Sequence, residues 1–504
     1  MKPPKCRLKL LAAIAPLALL SACAVGPDYK RPDVEQPAAF KEAAGWKMAQ
    51  PRDEEIRGNW WEAYNDPLLN QLQEQASTAN LNLAQAEAAY RQALAAVQGA
   101  RAAYFPTVGA EFDVTRSSSA TVRNNQVTTN TSTSGARTNH SLSLNASWEP
   151  DLWGRVRRSV EASSSSAQAS AADLQNVRLS MQTALAQDYF QLRALDSQQQ
   201  LLDRTLRDYE RSLKLTQNQY EAGVVARANV VQAQTQLKNA QTQALDIGVQ
   251  RAQLEHAIAL LVGKAPASFS IAPSPLSANV PDIPVALPSS LLERRPDIAA
   301  AERRVAAANA EIGVAKAAYF PSLGLSANGG YQSNTMSNLL SLPNRFWSIG
   351  PSLALTLLDG GARRAQTDQA IAAYDQNVAI YRQTVLTGFQ EVEDNLAALR
   401  ILEQEAQTQD EAVQLARQSV AIATNQYKAG VVSYLEVITA QTTALNSEIN
   451  AVNILNRRLA ASVLLIKALG GGWHVPGADA PGVETTDATP LALDEPSGGH
   501  DEHR

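Results

Sequence analysis

The chain of 504 residues is poor in the residues that build redox, metal and catalytic sites. It has two cysteines, Cys6 and Cys23, both at the very start of the chain, and only five histidines. No internal disulfide or cysteine-based metal site can form in the rest of the chain. The common hydrolase, zinc-protease and phosphate-loop motifs are missing as well. We therefore expect a protein that is not an enzyme and that holds no metal.

The chain also lacks an excess of positive charge and long apolar runs. It has 44 Lys and Arg against 49 Asp and Glu, a net charge of -5. Nucleic-acid binding needs a clustered basic surface, so we expect no nucleic-acid partner. After residue 22 we find no apolar run of membrane-spanning length, so any crossing of a membrane has to be made by strands that close into a barrel.

The first 22 residues have the layout of a secretory signal. Four basic residues precede the apolar stretch Leu10 to Ala22, which is too short to span a membrane. The segment Leu20-Ser21-Ala22-Cys23 resembles the bacterial lipobox, in which the cysteine is acylated and becomes the mature N-terminus. Cys23 is therefore the predicted lipid attachment site, with ordinary cleavage beside a bystander cysteine as the alternative. Ala24, where inner-membrane lipoproteins carry aspartate, favours the outer membrane.

The rest of the chain contains two copies of one unit. The segment Ala100–Gly109 recurs as Ala315–Gly324 with seven of ten residues identical, and Asn218–Val225 recurs as Asn425–Val432. Each unit reads as helix, two strands, very long helix, tight turn and helix. The long helix predicted for residues 155–222 would measure about 100 Å at 1.5 Å per residue. A simple coiled coil would give the same apolar spacing.

The predicted organisation follows from these repeats. It comprises a signal peptide (1–22), an acylated N-terminal segment with equatorial contacts (23–65), repeat 1 (66–264), a proline-rich linker (265–296), repeat 2 (297–469) and a glycine-rich acidic tail (470–504). The strands are predicted at about 107–116, 140–150, 322–332 and 347–358, and the tight turns near residues 223 and 430. The tail lacks apolar periodicity, so we expect it to be disordered.

The four predicted strands alternate apolar and polar side chains over about ten residues each. In the first strand Val108, Phe112 and Val114 alternate with Gly109 and Asp113. This pattern is typical of outer-membrane strands, although a half-buried sheet of a soluble protein gives the same alternation. The signal and the lipobox favour the membrane. Four strands cannot close a membrane barrel, so several chains have to share one.

Together these residues resemble the TolC family of outer-membrane efflux proteins, in its acylated NodT or OprM-like branch. The resemblance covers residues 23 to about 473. It rests on Cys23–Pro32, Trp60–Trp61, Asp66–Leu68, Arg294–Asp297, the two Tyr-Phe-Pro segments, Leu358–Gly361, Arg363–Arg364 and Gly470–Trp473. It implies a mixed α/β membrane protein. A homotrimer would build one β-barrel of twelve strands, four per chain, continued by a long periplasmic α-helical barrel with an equatorial domain.

The resemblance also implies a function and partners. Such a trimer is the exit duct of a tripartite efflux pump and passively conducts substrates that an inner-membrane RND-type transporter expels through a periplasmic adaptor. Outer-membrane lipid would surround it, and the lipid on Cys23 would be its only covalent group. Two alternatives stay open, a non-conducting envelope-spanning coiled-coil lipoprotein and the same channel serving metal-ion export. The sequence does not separate drug, metal and signal export.

On that plan the two glycine turns lie at the periplasmic end of the helices. We predict that these tips dock the adaptor and form the gate, through Gly223, Val224, Val225, Gly430, Val431 and Val432. Apolar side chains at a narrow constriction exclude water and ions without needing charge. The alternative is that both glycines are plain helix stops. Some relatives carry an acidic residue near the second tip, whereas here Val432 occupies that neighbourhood and Glu436 lies one turn further on.

Overall fold

The computed structural model describes residues 25–35, 37–43, 59–118, 136–277, 279–281, 283 and 294–471. The predicted signal peptide, the lipid site at Cys23, residues 119–135 after the first strand and the tail from residue 472 lie outside the described residues. Several positions of the proline-rich linker, including residues 284–293, lie outside them as well.

Seven α-helices and four β-strands make up the framework of the described chain, with short 3-10 turns such as Lys41–Ala43 and Trp60–Tyr64. In order they are α1 (Pro67–Ala79), α2 (Leu81–Ala102), β1 (Thr107–Ser117), β2 (Arg137–Trp148), α3 (Arg155–Glu221), α4 (Arg227–Leu261), α5 (Pro296–Ala317), β3 (Ser322–Ser333), β4 (Arg345–Ala354), α6 (Ala362–Lys428) and α7 (Tyr434–Ala468). The mixed α/β fold is as predicted.

The two repeats have helices of equal length. The helices α2 and α5 have 22 residues each, α3 and α6 have 67, and α4 and α7 have 35. A helix of 67 residues is about 100 Å long, so the molecule is strongly elongated. Gly154 and Gly361 directly precede the long helices with positive φ angles of 79° and 92°. That conformation suits glycine, because a Cβ atom would clash with the backbone there.

The four strands form one antiparallel sheet in the order β1-β2-β3-β4. Phe112 of β1 faces Leu142 of β2, and Leu142 in turn faces Tyr331 of β3. Ala327 of β3 faces Ile349 of β4. The contact between β2 and β3 therefore joins the two repeats into one continuous sheet.

Two strands differ in their bounds from the sequence prediction. β4 ends at Ala354 instead of continuing to residue 358, because Ala354 already pairs with Ser322, the first residue of β3. β2 ends at Trp148 instead of residue 150, where Pro150 has no N–H to donate to a ladder. The alternation of side chains continues beyond Ala354, but β3 has no residue left there to pair with β4.

The main hydrophobic core lies in the middle of the helices and includes Tyr189, Phe190, Val392 and Leu459. The motif Asp66-Pro67 starts α1 beside it. Asp66 accepts hydrogen bonds from two N–H groups of the first turn at 3.0 and 3.2 Å, and its other oxygen accepts one from the Tyr189 hydroxyl at 2.6 Å. Pro67 costs nothing at this position, because the first N–H groups of a helix have no intrahelical partner.

The last helix corrects one expectation. By length and composition α7 is the one described helix that could cross a membrane, with a mean hydropathy of 1.2, although no such run was expected after residue 22. Leu459, Val463 and Leu465 of α7 are completely buried in the core. These apolar residues of α7 thus pack inside the protein.

Part of the proline-rich linker is fastened to the helices by a buried charge network. Asp196 of α3 pairs with Arg193 at 3.0 Å and with Arg251 of α4 at 2.7 Å. Arg251 donates to the carbonyl oxygen of Ile271 at 2.6 Å, and the N–H of Ser274 donates to Asp196 at 3.0 Å. These bonds satisfy two backbone polar groups of the linker, which helps an irregular segment to lie on a packed surface.

Candidate channel sheet and helix tips

The pairing register places most apolar side chains of the four strands on one face of the sheet, while Phe346 lies on the other. The apolar face carries Val108, Phe112, Val114, Leu142, Leu144, Trp148, Leu323, Leu325, Trp347, Ile349 and Leu353. Val108, Trp347 and Ile349 are 72 %, 73 % and 74 % exposed. An exposed apolar surface that runs across a whole sheet marks contact with lipid or with another protein.

The opposite face of the sheet is polar. It carries Thr107, Glu111, Asp113, Ser141, Ser143, Asn145, Ser147, Ser322, Ser326, Asn328 and Ser352. Asn145 donates to Glu111 at 3.3 Å, and the hydroxyl groups of Thr107 and Ser147 lie 2.8 Å apart. A sheet with one apolar and one hydrated face is the arrangement of a barrel wall between lipid and water.

The outer edges of the sheet are open. Within the described chain β1 pairs only with β2, and β4 pairs only with β3. These edge strands have 11 and 10 residues, each with a row of unpaired backbone N–H and C=O groups. Such groups cost several kcal/mol each in hydrocarbon, so a single copy of the sheet cannot be stable in a membrane.

At the far end of the long helices, both predicted tip turns have the same geometry. Gly223 and Gly430 have φ angles of 74° and 75°. The N–H groups of Gly223 and Val224 donate to carbonyl oxygens of the last turn of α3 at 2.9 and 2.8 Å, and those of Gly430 and Val431 donate to α6 at 3.0 and 2.9 Å. Nothing lies within 4 Å of a Cβ built on either glycine, so glycine is needed for its backbone conformation and not for lack of space.

The four tip valines divide into two pairs. Val224 and Val431, directly after the glycines, are both 71 % exposed. Val225 and Val432 are half-buried, and Val432 packs against a group of residues from both helices of the second tip and from α4. This tip cluster consists of Ala233, Tyr427, Tyr434 and Val437. The sequence placed all four valines at the constriction, whereas the packing leaves the first valine of each pair free to contact water or a partner.

Hydrogen bonds join the two tips to each other. The Tyr427 hydroxyl donates to the side chain of Gln219 at 2.6 Å, which connects α6 with α3. Further along, the amide of Gln236 donates to Tyr209 at 2.9 Å and to Thr442 at 3.0 Å. These contacts were not predicted from the sequence, although the repeated Asn-Gln-Tyr motif before each glycine contains both Gln219 and Tyr427.

Comparison with known proteins identifies the family. The family model described as "Outer membrane efflux protein" matches residues 72–264 and 287–471, one segment in each repeat. The chain belongs to the outer membrane efflux protein family. Both the predicted family and the predicted TolC-like fold class are thereby confirmed.

Individual relatives of this efflux protein agree with that assignment over nearly their whole length. The toluene efflux pump outer membrane protein TtgC of Pseudomonas putida is 31% identical over 468 residues, which cover 92% of this chain and 96% of TtgC. The pyoverdine export outer membrane protein OpmQ of Pseudomonas aeruginosa is 32% identical over 470 residues, 93% of this chain and 98% of OpmQ. The solved outer-membrane channel OprN matches 90% of this chain and 100% of its own, with a TM-score of 0.82 and 30% identity.

The efflux protein holds its N-terminal segment firmly against the helices near the sheet. Residues 25–31, which we call the N-terminal strap, bond to α3, α5 and α6 and to the turn before α3. The contacts are Val25 N to Trp153 O at 3.1 Å, Asn309 to Pro27 O at 2.9 Å, Arg158 to Asp28 at 2.8 Å, Tyr29 to Glu302 at 3.1 Å and Arg31 to Tyr381 at 3.2 Å. The strap begins two residues after Cys23, beside the turn that leads from the sheet into α3.

Proposed function

We propose that three copies of this efflux protein build the exit duct of a tripartite efflux pump in the outer membrane and conduct substrates passively. The observation that carries this proposal is the amphipathic four-stranded sheet with two open edges, directly continuous with helices about 100 Å long. The sheet would cross the membrane, and the helices would reach across the periplasm.

The two open edges require more than one copy, and the family resemblance supports three. A barrel needs at least about eight strands, and each chain supplies four. Pairing of β4 with β1 of the next copy satisfies every edge, and three copies give the twelve strands that the family resemblance implies. Native mass spectrometry of the protein extracted in detergent tests the copy number, and a stable monomer or dimer would contradict the proposal.

The helix tips are the proposed contact with the periplasmic adaptor, which would link the duct to an inner-membrane RND-type transporter. Val224 and Val431 support this assignment because they are exposed apolar residues at the end of a helical barrel. Photo-crosslinking from residues 224 and 431 in cells tests it, with the exposed residue 246 near the middle of α4 as the control. Equal crosslinking from all three positions would contradict tip docking.

Cys23 is the proposed site of the lipid anchor, which would be the only covalent group on the chain. The lipobox supports this, and so does the position of the strap, whose Val25 is bonded to Trp153 beside the sheet. Mass spectrometry of the mature N-terminal peptide decides the point. An unmodified Cys23 would refute the anchor. Cys23→Ser with secretion retained is expected to leave some trimer, because the strands themselves hold the barrel in the membrane.

Conduction separates the proposed duct from the non-conducting coiled-coil lipoprotein. The purified trimer is expected to conduct ions in a planar bilayer, whereas the coiled-coil alternative predicts no conductance. The cargo is tested by efflux in a strain that lacks its own outer-membrane duct. Toluene, pyoverdine and a metal ion form a suitable panel, because relatives are named for the first two and metal export is the remaining alternative.

A further inference from the structure

Six aromatic side chains lie at the end of the sheet that joins the helices. The set, which we call the interface belt, consists of Tyr104, Phe105, Trp148, Trp153, Tyr319 and Phe320. The indole of Trp148 donates to the carbonyl oxygen of Tyr104 at 2.9 Å, and that of Trp153 donates to the carbonyl oxygen of Pro321 at 2.7 Å. Trp153 also stacks on Phe320 with ring centroids 4.9 Å apart. Phe105 is 70 % exposed. Aromatic residues favour the membrane–water interface, which places the belt at headgroup level.

Basic residues accompany the belt at matching positions of the two repeats. Arg101 and Lys316 each precede the tyrosine of a Tyr-Phe-Pro segment by three residues. Arg157 and Arg364 each follow the glycine that begins a long helix by three residues. The N–H of Tyr104 donates to the carbonyl oxygen of Arg101 at 3.0 Å, and that of Tyr319 donates to the carbonyl oxygen of Lys316 at 3.2 Å. The charged groups that act on Tyr104 are Asp151, Arg157 and Arg101. In the second repeat the neighbouring guanidinium group of Arg363 lies over the Tyr319 ring at 5.5 Å.

Most carboxylates near the belt already have other partners. Glu149 holds Arg155 through two hydrogen bonds at 3.2 and 2.9 Å. Asp151 accepts from the first N–H groups of α3 at 2.9 and 2.8 Å. Asp359 accepts from the N–H groups of Gly361 and Arg363 at the start of α6, and it also accepts from the guanidinium group of Arg363.

Four cations near the belt have at most a weak side-chain ion pair in the described part of the chain. Within the described chain, Arg101, Arg157 and Lys316 form no ion pair, and Arg364 meets only the exposed Asp368 at 3.9 Å. This leaves one pair of weakly compensated cations beside the aromatic belt in each repeat.

Arg157 and Arg364 also oppose the local electrostatics of their helices. The first turns of α3 and α6 contain no acidic residue, although a helix N-terminus carries partial positive charge and favours acids. Cations at that end destabilise the helix slightly, so helix stability does not account for them. Their repetition beside two aromatic segments indicates an external anion at the level of the belt.

We infer that each repeat of the chain binds the phosphate headgroup of an anionic phospholipid in the periplasmic leaflet of the outer membrane. Arg101 and Arg157 form one site beside Tyr104, and Lys316 and Arg364 form the equivalent site beside Tyr319. Guanidinium groups match phosphate oxygens in two-point hydrogen bonding, and the aromatic belt holds the acyl–headgroup boundary at the same height. This inference rests on the proposed function, because it needs the sheet to cross the outer membrane.

Lipid competition on the purified trimer tests the inference. Brominated phosphatidylglycerol and brominated phosphatidylcholine quench tryptophan fluorescence on contact, and Trp148 and Trp153 lie in the belt. The wild-type trimer is expected to prefer phosphatidylglycerol, by about fivefold for each cation that a headgroup contacts. Added salt should reduce the preference, since the sites are exposed. Inorganic phosphate should reduce the preference for phosphatidylglycerol no more than another salt does at the same ionic strength, because the aromatic belt selects a lipid.

The test variant carries Arg101→Gln, Arg157→Gln, Lys316→Gln and Arg364→Gln together. The control carries Arg204→Gln, Arg207→Gln, Lys214→Gln and Lys238→Gln, which remove the same charge from exposed positions in the tip half of the molecule. The test variant should bind both lipids about equally, and the control should keep the wild-type preference.

Three results would overturn the inference while the duct function stands. These are a conducting wild-type trimer without lipid preference, a preference unaffected by salt, and a conducting test variant with unchanged preference. If the four-site variant fails to assemble, Arg101→Gln with Arg157→Gln is the replacement, and it should lose about half of the preference. A wild-type protein that neither trimerises nor conducts would instead refute the proposed function itself.

Discussion

Gly330 of β3 and Ser143 of β2 are direct partners across the contact between the two repeats, and their backbones approach too closely for a side chain. A Cβ on residue 330 would stand 2.8 Å from the Cα of Ser143, and it would lie closer still to the carbonyl oxygen of Leu142. Both neighbours are backbone atoms, which cannot move without shifting the strand. The close approach therefore fixes how the two halves of the sheet meet.

Gly330→Ala is expected to destabilise the assembled protein, because the added methyl group has to push β2 and β3 apart. Forcing extra volume into a packed site costs about 1–3 kcal/mol. Thermal unfolding of the purified trimer measures the effect. The control is Gly350→Ala in β4, where a Cβ meets nothing within 4 Å. Equal stability of the two variants would show that the β2–β3 contact tolerates a side chain.

Arg295 is expected to be the most sensitive charged residue of the core. It is only 4 % exposed and binds Glu391 at 2.7 Å, Asp297 at 2.7 Å and the carbonyl oxygen of Ala468 at 3.2 Å. Arg295→Met leaves both carboxylates and the carbonyl without their shared partner. We expect the free energy of unfolding to fall by about 3 kcal/mol. This is the lower end of the range for broken buried ion pairs, because both carboxylates are partly exposed.

Denaturant unfolding compares this variant with Arg294→Met at the adjacent, exposed position. Arg294→Met should change stability by no more than about 0.5 kcal/mol, as surface substitutions usually do. Similar losses from both variants would mean that the ion pairs of Arg295 contribute little.

The tip valines are expected to respond differently to a charge. Val431→Asp places a carboxylate on a largely exposed position at the narrow end and should raise the resting conductance of the isolated trimer by wetting the constriction. Val432→Asp should wet it too, but it also buries a charge against Tyr427 and Tyr434 and should lower the melting temperature.

Planar-bilayer conductance and thermal unfolding of both variants separate these effects, with Val431→Ala as the neutral control. Unchanged conductance in both aspartate variants would place the gate elsewhere along the helices. A melting temperature that falls equally in both would contradict the division of the valines into exposed and packed pairs.

The tip cluster should lose stability at alkaline pH. Burial raises the pKa of Tyr434 to about 12, although a hydrogen bond with Ser212 lowers it in part. Between pH about 10 and about 12 the unfolded chain loses this phenolic proton while the folded chain keeps it, so stability falls as pH rises through that window. The contribution of this one group is at most about 2–3 kcal/mol.

Tyr434→Phe removes the titrating group and should flatten the alkaline loss of stability, measured as melting temperature against pH. Tyr220→Phe, just before the glycine of the first tip and 45 % exposed, is the control. An alkaline slope that is the same in Tyr434→Phe and in the wild type would show that the tyrosine ionises freely in the folded tip.

Local patterns in the sequence were sufficient for much of the fold. Recurrence of the Tyr-Phe-Pro and Asn-Gln-Tyr segments gave two repeats, and the spacing of apolar residues gave the long helices that the structure has at Arg155–Glu221 and Ala362–Lys428. Strand ends were less predictable. The alternation continues through Leu355 and Leu357, but a strand ends where its partner ends, and β3 offers nothing beyond Ser322.

At the helix tips, too, some features can be predicted from the sequence and others depend on packing. The positive φ angles of Gly223 and Gly430 can be predicted from the sequence, because few residues other than glycine adopt such angles. Val431 and Val432, in contrast, are chemically identical neighbours. Only the packing of Tyr427 and Tyr434 from two different helices decides which of them is covered.

The sequence by itself determined the repeat, the amphipathic strands, the long helices and the glycine turns, because each depends on residues that are neighbours in the chain. Only the tertiary structure decided what depends on distant residues. It joined β2 to β3 through Gly330, placed the strap beside Trp153, and brought Tyr427 of α6 within 2.6 Å of Gln219 of α3. Contacts of that kind depend on how whole elements pack, which no local periodicity records.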